Sequence, residues 1–179
     1  MSRMTLIKAL PLLAVSLLLT ACGLTQRVGD GTSSAMKSIF YKQVKTLHLD
    51  VTAREALNTD NKENTSLSEP MMVRVYQLKD RKTFDKTVYQ QLVNDAESAL
   101  GADLLVSESR VVKPGTDVSV DMPMDEKAQY VAVVGLFRQP DQAKNDWKLL
   151  LTRDDLDPDK PRIIEASNNH LSLQPRKEG

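Results

Sequence analysis

Few side chains in this sequence could carry covalent or metal chemistry. The 179 residues hold one cysteine, Cys22, and two histidines, His48 and His170. A lone thiol excludes an internal disulfide and any multi-cysteine zinc or iron–sulfur site. Neither histidine has a His-x-x-x-His partner or an acidic companion at ligand spacing, so both read as surface residues. No Gly-x-Ser-x-Gly, P-loop or dinucleotide fingerprint is present. The densest carboxylates are Asp154, Asp155, Asp157 and Asp159. The last three match the first three ligand positions of a calcium loop. Lys160 then stands where the loop needs glycine, and Ala166 where it needs a bidentate glutamate. With Arg153, Lys160 and Arg162 neutralising it, the cluster reads as a solvated turn between strands. An enzyme would require a pocket joining His48 to two carboxylates, and no spacing points to one.

Cys22 has a different context. Arg3 and Lys8 precede an uncharged stretch, Ala9 to Ala21. That is too short to span a bilayer, which takes about 20 residues, and it has the form of a secretory signal peptide. It ends Leu19-Thr20-Ala21-Cys22-Gly23, which resembles a bacterial lipobox. The resemblance implies a diacylated Cys22, cleavage before it, acylation of the new amino group, and a covalent lipid in place of any cofactor. Gly23 stands where an Asp would favour retention in the inner membrane, which implies sorting to the outer membrane. Several acyl chains on one residue anchor stably where a single chain is marginal.

Cleavage at that point removes residues 1–21 and leaves 158 of 179. Arg3 and Lys8 go with the signal, so 24 basic residues become 22 against 24 acidic ones. A near-neutral chain whose aromatics are only 4% offers no polyanion surface and no stacking platform, so no nucleic-acid partner is expected. No small-molecule substrate is implied either. Residues 22–36 hold the lipidated cysteine and a glycine-rich tether, and a coil of that length spans about 20 Å.

Residues 37–179 read as one mainly β domain. Leu47, Leu49 and Val51 alternate with polar residues, as do Val73 and Val75, and Val118, Val120 and Met122. Leu104 to Val112, Trp147 to Thr152, Arg162 to Ala166 and His170 to Leu173 add further strands. The last two form a hairpin over Asn168-Asn169. Pro114-Gly115 and Asp125-Glu126-Lys127 mark turns. Gln129 to Phe137 is apolar on both faces, which suits a central strand. Phe84, Val88 and Leu92 make a helical stripe with Thr83 as N-cap, followed by Asp95 to Leu100 closed by Gly101. The expected fold is a two-sheet antiparallel β-sandwich with a small helical insertion at about 83–101.

Arg54 to Pro70, between the first two strands, is too long for a hairpin loop. It is polar, and its only bulky apolar residues are Leu57 and Leu67. It reads either as a solvated, mobile loop or as a protruding contact arm.

Ser68-Glu69-Pro70-Met71-Met72-Val73-Arg74-Val75-Tyr76-Gln77-Leu78 resembles the signature of the type VI secretion lipoprotein family, TssJ (also SciN or VasD). Phe84, Leu92, Leu100-Gly101-Ala102-Asp103-Leu104-Leu105, Pro114-Gly115, the apolar stretch Val131 to Phe137, and Trp147 follow in the family's order. The resemblance implies a transthyretin-like sandwich on an outer-membrane lipoprotein that faces the periplasm. It implies binding to the periplasmic C-terminal region of TssM, and through TssM an indirect link to TssL. In the family the long loop carries much of that contact. Here its expected tip is Asn58, Thr59, Asp60, Asn61, Lys62, Glu63, Asn64, Thr65, Ser66, Leu67 and Ser68. Asn61, Lys62, Glu63 and Asn64 are placed at the exposed apex. Arg74, Tyr76 and Leu78 read as structural residues, with Arg74 free to bond a neighbouring loop.

Overall fold

The computed structural model describes residues 43–60 and 67–176. The signal, Cys22, Gly23, the tether and the apex at 61–66 lie outside the described residues. Among the described residues eight strands form two four-stranded sheets. The first sheet has the order β4-β1-β7-β8, built from β1 (Thr46–Leu57), β4 (Asp117–Pro123), β7 (Arg162–Asn168) and β8 (His170–Leu173). The second has the order β3-β2-β5-β6, built from β2 (Met71–Leu78), β3 (Leu104–Val112), β5 (Tyr130–Leu136) and β6 (Lys148–Thr152).

The alternation in β1 puts Leu47, Leu49 and Val51 inside, where Val120 and Met122 of β4 and Ile164 and Ala166 of β7 join them. In the second sheet Val75 lies opposite Val133 and Gln77 opposite Val131, so these residues share the inner face. Gln77 is fully buried there, and it works as a clasp between the sheets. Its amide donates to the Pro123 carbonyl at 2.8 Å, and its carbonyl accepts the Asp125 N–H at 2.7 Å. Both polar ends are satisfied, so the side chain carries no desolvation penalty for unmade hydrogen bonds. β5 is buried on both faces because helices cover the outer one.

The sandwich is not wholly antiparallel. β1 pairs with β7 in parallel, Leu49 opposite Arg162 and Ala53 opposite Ala166. Residue alternation along a strand is the same for either direction of its neighbour, so the pattern could not show this. Strand β1 also runs past Arg54 to Leu57, through a register shift between Ala53 and Leu57 where Arg54, Glu55 and Ala56 are exposed. The first connection is therefore 58–70, shorter than the polar run suggested.

The helical insertion is broken in two. Helix α1 (Lys82–Lys86) buries Phe84, and α2 (Tyr89–Leu100) buries Tyr89, Leu92, Ala96 and Leu100. Val88 lies between them and is exposed, so the i, i+4, i+8 stripe fails at its middle member. Thr83 is not the N-cap. Arg81 holds that position, the Asp80 carboxylate accepts the Lys82 N–H at 2.9 Å, and the Thr83 hydroxyl donates to Asp103 at 2.5 Å. Within α2, Asp95 leaves helical geometry at φ −157° and its carboxylate restarts the helix by accepting the Ser98 N–H at 3.0 Å. Gly101 ends it at φ 53°, a left-handed conformation that glycine adopts without penalty.

Arg74 reaches from β2 to α2, where its guanidinium donates to the Leu92 carbonyl at 2.7 Å. The partner is a helix rather than a loop. The break at Asp95 interrupts the helical ladder that would otherwise use such carbonyls, and Arg74 supplies a donor.

Candidate partner interface

The described residues of the expected contact loop, 58–60 and 67–70, form a fixed base. Asn58 and Thr59 are not at the tip: they are 4% and 7% exposed. Asn58 has φ 52°, a conformation asparagine tolerates better than most residues. That turn lets it bond in three directions. Its N–H donates to the Asn168 carbonyl at the end of β7, its amide donates to the Pro70 carbonyl at 3.1 Å, and its side-chain carbonyl accepts the Arg138 N–H at 2.7 Å. The Asn169 amide donates to the Thr59 carbonyl at 2.9 Å.

Asp60 continues the pattern. It accepts the Gln139 side-chain amide and lies 3.7 Å from the Arg138 guanidinium, which also pairs with Glu69 at 3.0 Å. The two legs are closed by the Glu69 N–H on the Leu57 carbonyl at 3.1 Å. The Leu57 N–H donates weakly to the Ser68 hydroxyl at 3.4 Å. One base thus joins the ends of β1, β5 and β7 to the start of β2. Leu67, on the return leg, is 68% exposed. Met72 of β2 lies opposite Val111 of β3, and both side chains are open to solvent.

Sequence reasoning missed Arg138, Gln139 and Asn169 as the residues that hold this base. Each ends or follows a strand, and only the assembled sheets bring them to the loop. No local pattern marks them.

The residues with chemical potential have structural partners. His48 Nδ1 lies 2.5 Å from Asp121 as a cross-strand pair on an open sheet face. Such a half-solvated pair contributes little. Asp155 accepts the Thr152 N–H at 2.8 Å and its hydroxyl at 2.7 Å, and these bonds hold its carboxyl below the usual range. Asp157 accepts the Asp159 and Lys160 N–H groups at 2.8 and 3.1 Å. Among the described residues no group of three His, Cys, Asp or Glu could hold a metal ion, and no helix is long and apolar enough to cross a membrane.

A sequence model of the type VI secretion lipoproteins (VasD, EvfM, TssJ) matches residues 45–174. The chain belongs to this family. A chain in the structure described as "T6SS protein TssM C-terminal domain (869-1107) from EAEC" is 43% identical, with TM-score 0.67, covering 74% of this chain and 100% of its own length. A chain in a structure described as "Type VI membrane complex" is 44% identical, with TM-score 0.69 and the same coverage. The type VI lipoprotein TssJ1 from Pseudomonas aeruginosa is 20% identical at TM-score 0.62, over 75% of this chain and 98% of its own. At that identity it speaks for the fold alone. A comparison with curated proteins finds no significant match. As a family member the chain is a structural lipoprotein of a secretion system, and its mainly β two-sheet fold is the one seen in TssJ.

Proposed function

We propose that this lipoprotein is held at the outer membrane by acyl chains on Cys22, with Gly23 directing it there, and faces the periplasm. From that position it binds the periplasmic C-terminal region of TssM, which joins it to TssL in the inner membrane. In this reading residues 1–21 are the signal, 22–36 the lipidated cysteine and tether, and 37–179 the folded domain. No catalytic turnover and no cofactor beyond the lipid enter it.

The observation that carries the reading is the identity of 43% and 44% to chains, matched over their full length, in structures named for TssM and the type VI membrane complex. The loop geometry supports where contact occurs. The base at Asn58, Thr59 and Asp60 is committed to the domain's own strands. That leaves Asn61, Lys62, Glu63, Asn64, Thr65 and Ser66, with Leu67 and Ser68 on the return leg, to meet a partner. A rigid base under a short contact segment limits the ordering entropy lost on binding.

Capture of the TssM C-terminal region by the intact protein is compared with capture by a form lacking 61–66. The expected result is lost capture with an unchanged melting temperature, and undiminished capture would refute the loop assignment. A Cys22→Ser form tests the anchor: it should remain unacylated and fail to support secretion.

A further inference from the structure

A cavity of about 350 Å³ opens at the start of β7. Three cations line it, Lys160, Arg162 and Arg176, against one carboxylate, Asp157. That carboxylate is already engaged by the Asp159 and Lys160 N–H groups. Asp155, also near, attracts Arg162 and Arg176, and one of its oxygens, Oδ2, accepts both the Thr152 N–H and the Thr152 hydroxyl, which leaves the cations in excess of the carboxylates. The remaining walls are apolar: Pro161, Ile163 and Pro175.

Arg162 is the unusual member. It is 7% exposed, yet its Nε is buried without a hydrogen-bond partner among the described residues. A buried, unpartnered donor on a charged group costs free energy that a bound anion would recover. Arg153, close by in sequence, shows the contrast, since its guanidinium donates to the carbonyls of Ala128, Asp125 and Val44. Arg176 spends one donor on the Asp154 carbonyl and still lines the cavity.

The position of the cavity suggests the source of the anion. Arg162 is the first residue of β7, and β7 runs parallel to β1 with Arg162 beside Leu49. The cavity therefore lies toward the end of the sandwich where β1 begins, and Arg153 ties the segment that leads into β1 at the Val44 carbonyl. The contact loop is at the other end of β1. A guanidinium fork suits a phosphate, and apolar walls beside it suit the glycerol and first acyl carbons of a lipid.

We propose that this cavity binds the phosphodiester headgroup of an anionic phospholipid in the membrane that anchors Cys22. The inference rests on the anchoring reading above. Headgroup binding adds a second, orienting attachment to the acyl chains and fixes which end of the domain faces the bilayer.

The test uses the full chain purified with its acyl groups in a neutral detergent. Native mass spectrometry follows retention of phosphatidylglycerol, zwitterionic phosphatidylethanolamine and inorganic phosphate. Phosphatidylglycerol should be retained at least tenfold more tightly than phosphatidylethanolamine. That preference should fall at least tenfold in the double variant Lys160→Gln, Arg176→Gln, whose side chains are on the exposed rim. Arg162→Gln should abolish it, and because that buried change could unfold the domain, the rim variant decides. Equal retention of the two lipids, or a rim variant that behaves as the parent, overturns the proposal. Inorganic phosphate competing at equal concentration would make this a free-phosphate site. Loss of TssM capture in the rim variant with lipid retention intact would make it a protein site. Either result overturns the lipid. The mass of the same sample reports acylation, so a failed anchor is distinguished from an acylated protein that ignores phosphatidylglycerol.

Discussion

The Asn58 side-chain carbonyl accepts the Arg138 N–H at 2.7 Å, joining the end of β1 to the second residue beyond β5 across 80 positions. The same side chain donates to Pro70, so one asparagine sets the separation of the loop's two legs. Asn58→Ala removes both bonds and leaves the Arg138 N–H unmet, in a left-handed conformation alanine disfavours. The expected loss is about 2–4 kcal/mol, and calorimetry should show a melting temperature lower by several degrees. Replacing 61–66 with Gly and Ser should barely change it. An Asn58→Ala protein that melts as the parent would remove the base from the account.

Tyr89 and Trp147 meet edge to face, ring centres 5.0 Å apart, and the Tyr89 hydroxyl donates to the Phe137 carbonyl at 2.5 Å. Burial pushes the Tyr89 hydroxyl up to about 12 from an ordinary 10.0. A group held protonated by the fold contributes stability that is complete below the unfolded value and is lost as pH rises through the folded one. Stability should therefore decline between about pH 10 and pH 12. Trp147, the one tryptophan, reports it by fluorescence. Tyr89→Phe should flatten this alkaline slope.

The acid limb has the opposite sign. Asp155, bonded to Thr152, has its carboxyl lowered from 3.8, so its contribution is present above that value and fades as pH falls through the lower folded one. Glu165 is lowered by Arg54 in the same direction. Melting temperature should drop below about pH 4, and Asp155→Asn should make that drop shallower. An unchanged acid slope in the variant would show that Asp155 is not responsible.

Gly135 has no room for a side chain. A Cβ there would lie 2.5 Å from Phe137 Cε2 and 2.9 Å from its Cζ. Phe137 is itself buried, so the ring cannot swing into solvent. Gly135→Ala should cost about 1–3 kcal/mol by overpacking. Adding Phe137→Leu should recover part of it, and a simple sum of two losses in that double variant would argue against the clash.

Strands were readable because one face of each is buried, which writes period-two alternation into β1 and β4 and continuous apolarity into β5. Strand direction left no such mark, so the parallel β1–β7 pair was invisible. The helix break was half readable: Asp95 and Gly101 carry recognisable end signals, while Val88 looks like a stripe residue and is exposed. Asn58 misled for a physical reason. Asparagine in a polar run reads as solvated, and only distant strand ends at Asn168 and Arg138 make its burial favourable. The cavity around Arg162 was hidden similarly, because its lining joins the stretch from Asp157 to Ile163 to Pro175 and Arg176, which only the folded β7–β8 hairpin brings together.

β1 is 12 residues long, a span of roughly 40 Å. The chain from Cys22 comes in at its first residue, and the loop proposed above to meet a partner leaves from its last. Under the proposed anchoring and loop contact, a tug between membrane and partner travels along the covalent backbone of one strand. The hydrogen bonds to β4 and β7 brace that strand sideways without being placed in series with the load. Such a domain behaves as a strut under traction, and its resistance to mechanical unfolding should exceed what its thermal stability alone suggests.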